Sequence, residues 1–376
     1  MKLPFRNAAP TLKAAYAGLS KMDRADEPVP VHTQALCWLE QMFAPYMNFG
    51  AISYEEALEG MDLSTSPGFP WNKECETKEE ALERYGDEIR NIVMNFSNNE
   101  APRFIFGSSL KEEIRTLDKL KQGKIRQFSA CSIDGTIKGR MLFLRQNEGF
   151  YSSHMRTASG VGLTQKRGGW QRVFEKLSKH PRGFALDESE WDASLRSDLL
   201  RIPMMLRLKF MKTAEQKQDT IDYYEELIKS VYVLPNGEFW QKFMSMPSGG
   251  PNTVVDNTLI LIYRLMVAFI ESVGGSFEDF LELVSLLTYG DDNTFSVDES
   301  IIDKFNGVSI KASMAKVGIK IKNPDAELLP RSVNTLDFLS FGFGTIKLGN
   351  LKVVVPVHKN PKKRVASLAF RDSKKF

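Results

Sequence analysis

LLTYGDDNTFSV, residues 286–297, is the stretch on which the reading of this chain turns. Two short apolar runs, 286–289 and 294–297, flank Gly290-Asp291-Asp292, the pattern of a β-hairpin with two acids at its tip. Taken alone the motif is ambiguous, because glycine and aspartate also make ordinary solvated turns. A second acidic pair stands upstream. Phe184-Ala185-Leu186 predicts a short apolar strand running into DESEWD, which sets Asp187 and Asp192 in a D-x4-D spacing. Hard carboxylates at neighbouring strand ends can hold two Mg²⁺ ions roughly 3.5–4 Å apart, the arrangement that serves in-line phosphoryl transfer. One ion would lower the pKa of an attacking hydroxyl and the other would neutralise a leaving pyrophosphate.

Composition narrows the alternatives. The chain has 376 residues, 42% hydrophobic and 26% charged, enough for a substantial core and unlike a disordered tail. Fifty Lys+Arg against 47 Asp+Glu leave a net charge of +3, so any nucleic-acid surface must arise from local clustering. Cys37, Cys75 and Cys131 form no CxxC pair, which argues against a disulfide framework or zinc site and for a reducing compartment. The four histidines (His32, His154, His180, His358) make no HExxH pattern. There is no GxSxG nucleophile elbow and no GxxxxGK[ST] phosphate loop. MKLPFRNAAP is broken by prolines and charge, which predicts no targeting segment. The most apolar run, 258–270, carries Arg264 and falls short of the roughly 20 residues of a membrane span. It predicts a buried helix, a soluble protein and no direct membrane insertion.

Helical spacing is expected over 31–43, 53–59, 78–96, 194–212, 214–230, 253–273 and 310–317. Residues 231–243, with Pro235-Asn236-Gly237 as the turn, predict a second hairpin, and 336–341 and 351–355 predict strands. TSPGFPW (65–71) is too rich in proline and glycine for regular structure and marks a shaped loop. From 109 to 145 nine basic residues face four acids. MPSGGPN is a glycine-rich loop that opens the helix at 253. Helices mixed with antiparallel strands predict an α+β domain built on a sheet with acids at its strand ends.

Four signals then stand in one order: basic tract, D-x4-D, SGGPNT and YGDDN. Chance does not readily produce such an ordered set. These segments resemble the successive motifs of viral RNA-dependent RNA polymerases of positive-strand RNA viruses, especially the picornavirus type, with astrovirus-like enzymes also similar. KEEIRTLDKLKQGKIR (111–126) resembles the KDELR…KxxxxGKxR tract of that family. LDESEWD resembles its DxxxxD motif, SGGPNTVVDN its SGxxxTxxxN motif, and TSPGFPW its TSAGYPY-type loop. The resemblance runs from about Thr65 to about Phe341.

The resemblance implies a right-hand polymerase with an antiparallel palm sheet. Fingers and fingertips are expected over 1–180, a palm over 181–355 with a fingers insertion around 213–247, and a truncated or reduced thumb starting over 356–376. It implies Asp187 and Asp291 as catalytic metal ligands, with Asp292 weaker or indirect, holding two Mg²⁺ ions for which Mn²⁺ can substitute. Asp192, Ser248 and Asn257 would surround the nucleotide ribose, helped by Gly249 and Thr253. A site that hydrogen-bonds a 2′-hydroxyl rejects a deoxyribose because its own polar groups would be left unpaired. Helix capping by Ser248, a core amide at Asn257 and a structural turn at Gly249-Gly250 stay open as rival readings. Lys111, Arg115, Lys119, Lys124 and Arg126 would line the nucleotide channel, against the rival reading of a solvated basic face. Thr65, Ser66 and Gly68 would touch the template RNA, against that of an ordinary proline loop.

Two segments depart from the family pattern. VGIKIKNPDAE (317–327) places Ala326 and Glu327 where the family carries a lysine as general acid; Lys320 and Lys322 lie before the proline, and Lys322 is the candidate to donate the proton instead. FLSFGF (338–343) stands where an FLKR-like hairpin grips the primer, with no positive charge at Ser340 or Phe341. The expected partners are RNA template and primer, ribonucleoside triphosphates and other viral replication proteins, in a membrane-associated complex of the host cytoplasm. A reverse-transcriptase-like polymerase, a non-catalytic RNA-binding fragment and a template-independent metal phosphoesterase are the competing functions.

Overall fold

The computed structural model of the chain describes residues 5–8, 11–22, 25, 27–98 and 104–369. Part of the expected thumb, residues 370–376, therefore lies outside the described residues. The elements used below are, in chain order, α1 (Thr33–Met47), α2 (Lys78–Met94), β1 (Ile105–Leu110), β2 (Gln127–Ala130), α3 (Ile133–Ser152), α4 (Gly169–Leu177) and β3 (Arg182–Phe184). They continue with α5 (Ser197–Leu208), α6 (Ala214–Ile228), β4 (Val231–Val233), β5 (Phe239–Gln241), α7 (Thr253–Ser272), β6 (Val284–Tyr289), β7 (Asp292–Val297), β8 (Phe341–Leu348), β9 (Leu351–His358) and α8 (Pro361–Ala369).

The expected hairpin at the YGDD turn is β6–β7, paired from Val284↔Val297 to Tyr289↔Asp292. It lies in an all-antiparallel sheet ordered Arg331–Ser332, β3, β7, β6. Phe295 on β7 sits opposite Phe184 on β3, and their buried rings lie 5.4 Å apart. This register brings the chain that follows β3, with Asp187, beside the turn that precedes β7.

Helix α7 packs against β6. Every residue from Val255 to Phe269 is buried. Its 20 residues are long and apolar enough to cross a bilayer by length and composition, more than the sequence suggested, yet the helix is the axis of the core. Phe269 meets Trp38 of α1, Phe280 and Phe305 at 5.3–6.2 Å between ring centroids. Two of its buried charges are paired: Arg264 donates through Nη2 to the Ser313 carbonyl at 3.0 Å, and Asp256 pairs with the fully buried Arg207 of α5 at 2.8 Å. Arg207 also donates to Gln146 and Asn147 of α3, and Tyr224 of α6 donates to Asp256 at 2.8 Å. One ion pair thus ties four helices together.

A second sheet, ordered β2, β1, β4, β5, joins segments far apart in sequence: β1 and β4 run parallel, with Ile105 opposite Val231. The expected hairpin around Pro235-Asn236-Gly237 is its β4–β5 edge. Beyond the sheet of β3, β7 and β6, β8 and β9 form a long hairpin whose β8 end packs on Trp170 of α4 through Phe341 and Phe343.

Some local expectations are corrected. The helix expected from 194 starts at Ser197, because Leu195 is extended (φ −74°, ψ 116°) and Trp191–Ser194 forms its own short turn. The strand expected over 336–341 is broken by Leu339 and Ser340, both left-handed (φ 52° and 66°), so β8 begins only at Phe341. Within the basic tract, residues 133–152 form the long helix α3, which the sequence reading left without an element.

Candidate active site

Asp187 follows β3 and Asp291 stands in the turn before β7, both at the surface. The turn is fixed from below, since the Thr258 hydroxyl of α7 accepts the Gly290 N–H at 2.8 Å and Gly290 takes φ 63°. The Asp187 backbone is fixed from the side. Its N–H donates to Asn323 Oδ1 at 2.6 Å, and its carbonyl accepts the Lys322 N–H at 2.9 Å. Lys322 then turns its ammonium onto Asp187 Oδ1 at 2.7 Å and the Glu188 carbonyl at 3.3 Å. Partial loss of water in the cleft pushes the Asp291 carboxyl above its ordinary value, and the charge of Asp187 adds to this, while Lys322 and Arg126 oppose it. The same causes, desolvation first and then Asp291, Asp187 and Asp337, push Asp292 up to about 6.

The carboxylates therefore repel one another, and the nearby cations only partly compensate. Among the described residues no three acidic, histidine or cysteine side chains converge closely enough to hold an ion by themselves. Mg²⁺ commonly takes one or two protein carboxylates and completes its shell with water and substrate phosphate. Two hard aspartates with their repulsion largely unrelieved fit that habit.

Asp192 and Asn257 meet directly: Asn257 Nδ2 donates to Asp192 Oδ1 at 2.8 Å, while Asn257 Oδ1 is buried and finds no partner. Burial pushes the Asp192 carboxyl up to about 6, with Asn257 opposing and Asp291 adding to the rise. Ser248 is not bonded to this pair; its hydroxyl accepts the Ser129 N–H of β2 at 3.2 Å. Gly249 lies against the same strand, where a Cβ would fall 1.5 Å from the Ser129 carbonyl oxygen. Thr253 closes the loop by donating to the Pro247 and Gly250 carbonyls at 2.8 and 3.0 Å.

In the basic tract, Glu113 is gripped from two sides. Arg126 binds it through both Nε (2.7 Å) and Nη2, and Arg115 Nε stands 2.7 Å away. Burial tends to raise the Glu113 carboxyl, but the guanidiniums, Arg126 first, outweigh it and hold it below its ordinary value. The charge of Arg126 reaches Asp291, which brings the tract over the acids. Lys111, Lys119 and Lys124 are exposed, and the turn between the last two is closed by the Lys124 N–H on the Lys119 carbonyl. Arg115 and Lys119 line a cleft whose far wall is Ser340, His358, Lys359 and Lys363.

The TSPGFPW loop packs on the start of α3. Gly68 takes φ 74°, and a Cβ there would lie 2.4 Å from the Cys131 carbonyl oxygen. Ser66 accepts the Gly68 N–H at 3.3 Å, and Thr65, exposed, is bonded by the Lys78 ammonium. Sequence reasoning missed Glu188, Asn293 and Asn323. Glu188, read as part of an acidic turn, is buried and held by Asn293 Nδ2 at 3.1 Å, and Asn293 also bridges to the Leu186 carbonyl. The asparagine after the two acids was the available signal.

Comparison with known proteins identifies the family and the fold. The viral RNA-dependent RNA polymerase family matches residues 16–359. Genome polyprotein 1 of Barley mild mosaic virus (strain Na1) is 33% identical over 263 residues, covering 64% of this chain and 11% of the polyprotein. The genome polyprotein of Bean yellow mosaic virus is 34% identical over 213 residues, covering 54% of this chain and 7% of the polyprotein. The chain thus spans about a tenth or less of the length of these relatives. A solved Sicinivirus 3Dpol RNA-dependent RNA polymerase superposes with a TM-score of 0.78 at 18% identity, over 95% of this chain and 79% of that one. With the polymerase fold matched and the family spanning most of the sequence, this chain belongs to the viral RNA-dependent RNA polymerases.

Proposed function

We propose that the chain performs RNA-templated RNA synthesis in viral genome replication and transcription. A primer 3′-hydroxyl attacks the α-phosphorus of a ribonucleoside triphosphate; a new P–O bond forms, the bond to the bridging oxygen of the β-phosphate breaks, and pyrophosphate leaves. The observation that carries this reading is the meeting of Asp187 and Asp291 across the β3–β7 register beneath the charge of Arg126. Asp187 and Asp291, with Asp292 indirect, would hold divalent ions, Mg²⁺ or in vitro Mn²⁺, which when bound would acidify the hydroxyl and neutralise the leaving group.

The rest is done by the chain's own groups. Arg126, set by Glu113, faces the triphosphate, where a planar guanidinium suits phosphate oxygens, and Arg115, held by the same carboxylate, faces the incoming base. Asp192 and Asn257 face the ribose, and the unpartnered Asn257 Oδ1 is an acceptor suited to a 2′-hydroxyl donor. Ser248, Gly249 and Thr253 shape the loop beside them. Lys322, 2.7 Å from Asp187 Oδ1, partly compensates its charge and is the candidate proton donor for the departing pyrophosphate. Thr65, Ser66 and Gly68 border the template, in a layout of fingers over 1–180, palm over 181–355 with a fingers insertion near 213–247, and a thumb beginning at 356. RNA template and primer, ribonucleotides and other proteins released from a viral polyprotein are the partners, in a replication complex of the host cytoplasm.

Primer extension on a defined RNA template tests this, with the unmodified chain and Asp291→Asn in parallel and deoxynucleotides as a second substrate. Template-complementary ribonucleotide incorporation that falls at least about a thousandfold on substitution is expected, as for loss of an electrostatic contact realised at the transition state. Incorporation indifferent to Asp291 overturns the assignment.

A further inference from the structure

Lys242 is buried, 6% exposed, in a chain where nearly every other lysine reaches water. Its ammonium is enclosed by four backbone carbonyls: Leu227 at 2.9 Å, Ile228 at 3.3 Å, Met244 at 3.1 Å and Ser245 at 2.6 Å. An ammonium has three N–H donors, so one is shared and none is left over. Two of the carbonyls belong to the last turn of α6, where helix carbonyls lack intrahelical partners and carry partial negative charge. The other two belong to the segment leading into Ser248. Burial draws the Lys242 pKa well below the ordinary lysine value, and the four carbonyls are the acceptors that hold its protons in place; this one side chain ties the end of α6 to the loop that precedes the glycine-rich turn.

That loop holds a conformation it would not adopt freely. Ser245 is buried and left-handed, φ 77°, which is unfavourable for a side-chain-bearing residue. The loop is stapled onward to the neighbouring turn: Ser245 N–H donates to the Leu195 carbonyl at 2.7 Å, and Met246 N–H to the Asp192 carbonyl at 2.8 Å. The backbone of Asp192 is thus held by a segment whose shape Lys242 maintains, while its side chain is held by Asn257.

We propose that Lys242 is a positioning residue for sugar selection: its caged ammonium holds the 244–246 loop, and through it Asp192, in register with Asn257. The inference rests on the reading of Asp192 and Asn257 as the ribose-facing pair. Lys242 touches no substrate and acts through the loop alone.

The test is the ratio of kcat/KM for a ribonucleotide to that for the matching deoxynucleotide, in primer extension with the full chain. Lys242→Met keeps the length of the side chain and removes the donors. It is expected to lower the ratio at least fivefold, with KM for the ribonucleotide rising more than kcat falls. A role in folding alone would shrink the active fraction and lower both rates equally, so an unchanged ratio overturns the proposal. Asn257→Ala, run alongside, separates the two levels: if it lowers the ratio and Lys242→Met does not, only the positioning role fails. If Asn257→Ala also leaves the ratio unchanged, the ribose reading fails and the inference with it. Amide hydrogen exchange on the unmodified chain needs no variant. Ser245 and Met246 amides protected as strongly as those of α7 support the clamp; exchange within seconds overturns it.

Discussion

Asp192 has two jobs that pull its proton in opposite directions. Burial favours the neutral acid and lifts its pKa from 3.8 to about 6, whereas the hydrogen bond from Asn257 favours the carboxylate. The folded chain therefore keeps a proton that the unfolded chain has already lost between about pH 4 and 6. Stability from this group is greatest below that window and declines as pH rises through it. On the proposed reading of Asp192 and Asn257 as the ribose-facing pair, sugar selection runs the other way, because Asn257 is held best by a charged acceptor. A hydrogen bond to an ion is worth about 1 kcal/mol more than one to a neutral group, so the ribo-to-deoxy ratio is expected to fall about fivefold as pH drops from 7.5 to 5. Measuring the ratio cancels pH effects common to both substrates, and Asp192→Asn should flatten the profile. A profile that stays steep in that variant would place the titrating group elsewhere. At this scale the residues that stand out in the sequence are those in fixed local spacings, Asp187 with Asp192 and Asp291 with Asp292; the structure pairs Asp192 with Asn257, whereas Ser248, grouped with Asn257 by its spacing, bonds Ser129 instead. Glu188, Asn293 and Asn323 were not legible, because what gives them a role is which strand or turn lies opposite, and that is set by register.

Glycine explains what was hidden among the elements. Helix α3 carries Gly135, Gly139 and Gly149, which weaken helical propensity and disguised 20 residues as a basic linker. The structure gives the reason: a Cβ at Gly149 would lie 1.8 Å from the Tyr46 carbonyl of α1, so the two helices pack at a distance only glycine allows. The hairpin at YGDD and helix α7 were legible because period and turn chemistry agreed with their final packing. Gly249 and Gly250, equivalent in the sequence, separate in the structure. At Gly249 the obstacle is backbone, the Ser129 carbonyl, whereas at Gly250 the nearest atom is Thr253 Oγ1 at 3.3 Å. Gly249→Ala must push the loop away from β2 and break the Ser129 to Ser248 hydrogen bond. Overpacking of this kind costs about 1–3 kcal/mol, and since it falls on the loop beside Asp192, extension rate is expected to drop ten- to a hundredfold. Gly250→Ala should stay within about threefold of the unmodified chain. Equal effects of the two substitutions on extension rate and Tm would mean that the contact with β2 does not shape the loop.

Over the whole molecule, a net charge of +3 conceals a separation of charge. Lys111, Lys119 and Lys124 stand exposed on the tract above the cleft, while Asp187, Asp291 and Asp292 stand below it. Binding and chemistry should therefore respond to different ions. RNA affinity comes from cations that displace counterions from phosphates, with a slope of about −0.7 per phosphate for single strands. Three such contacts contribute about −2 to the slope, so raising monovalent salt from 50 to 200 mM should weaken single-stranded RNA binding by at least about twentyfold. Replacing the three lysines by glutamine should flatten that dependence without reversing it, since other exposed basic groups of the tract, among them Lys121 and Arg126, remain. Chelation of divalent metal makes the opposite prediction. At fixed ionic strength it should abolish incorporation while leaving RNA affinity within about twofold, because the aspartates repel phosphate and add no affinity of their own. Filter binding and primer extension on one preparation, with and without EDTA, read both quantities together. A large loss of RNA affinity on chelation would mean that metal bridges the RNA backbone to the aspartates before any nucleotide arrives. The cleft would then bind template through its acids as well as its lysines.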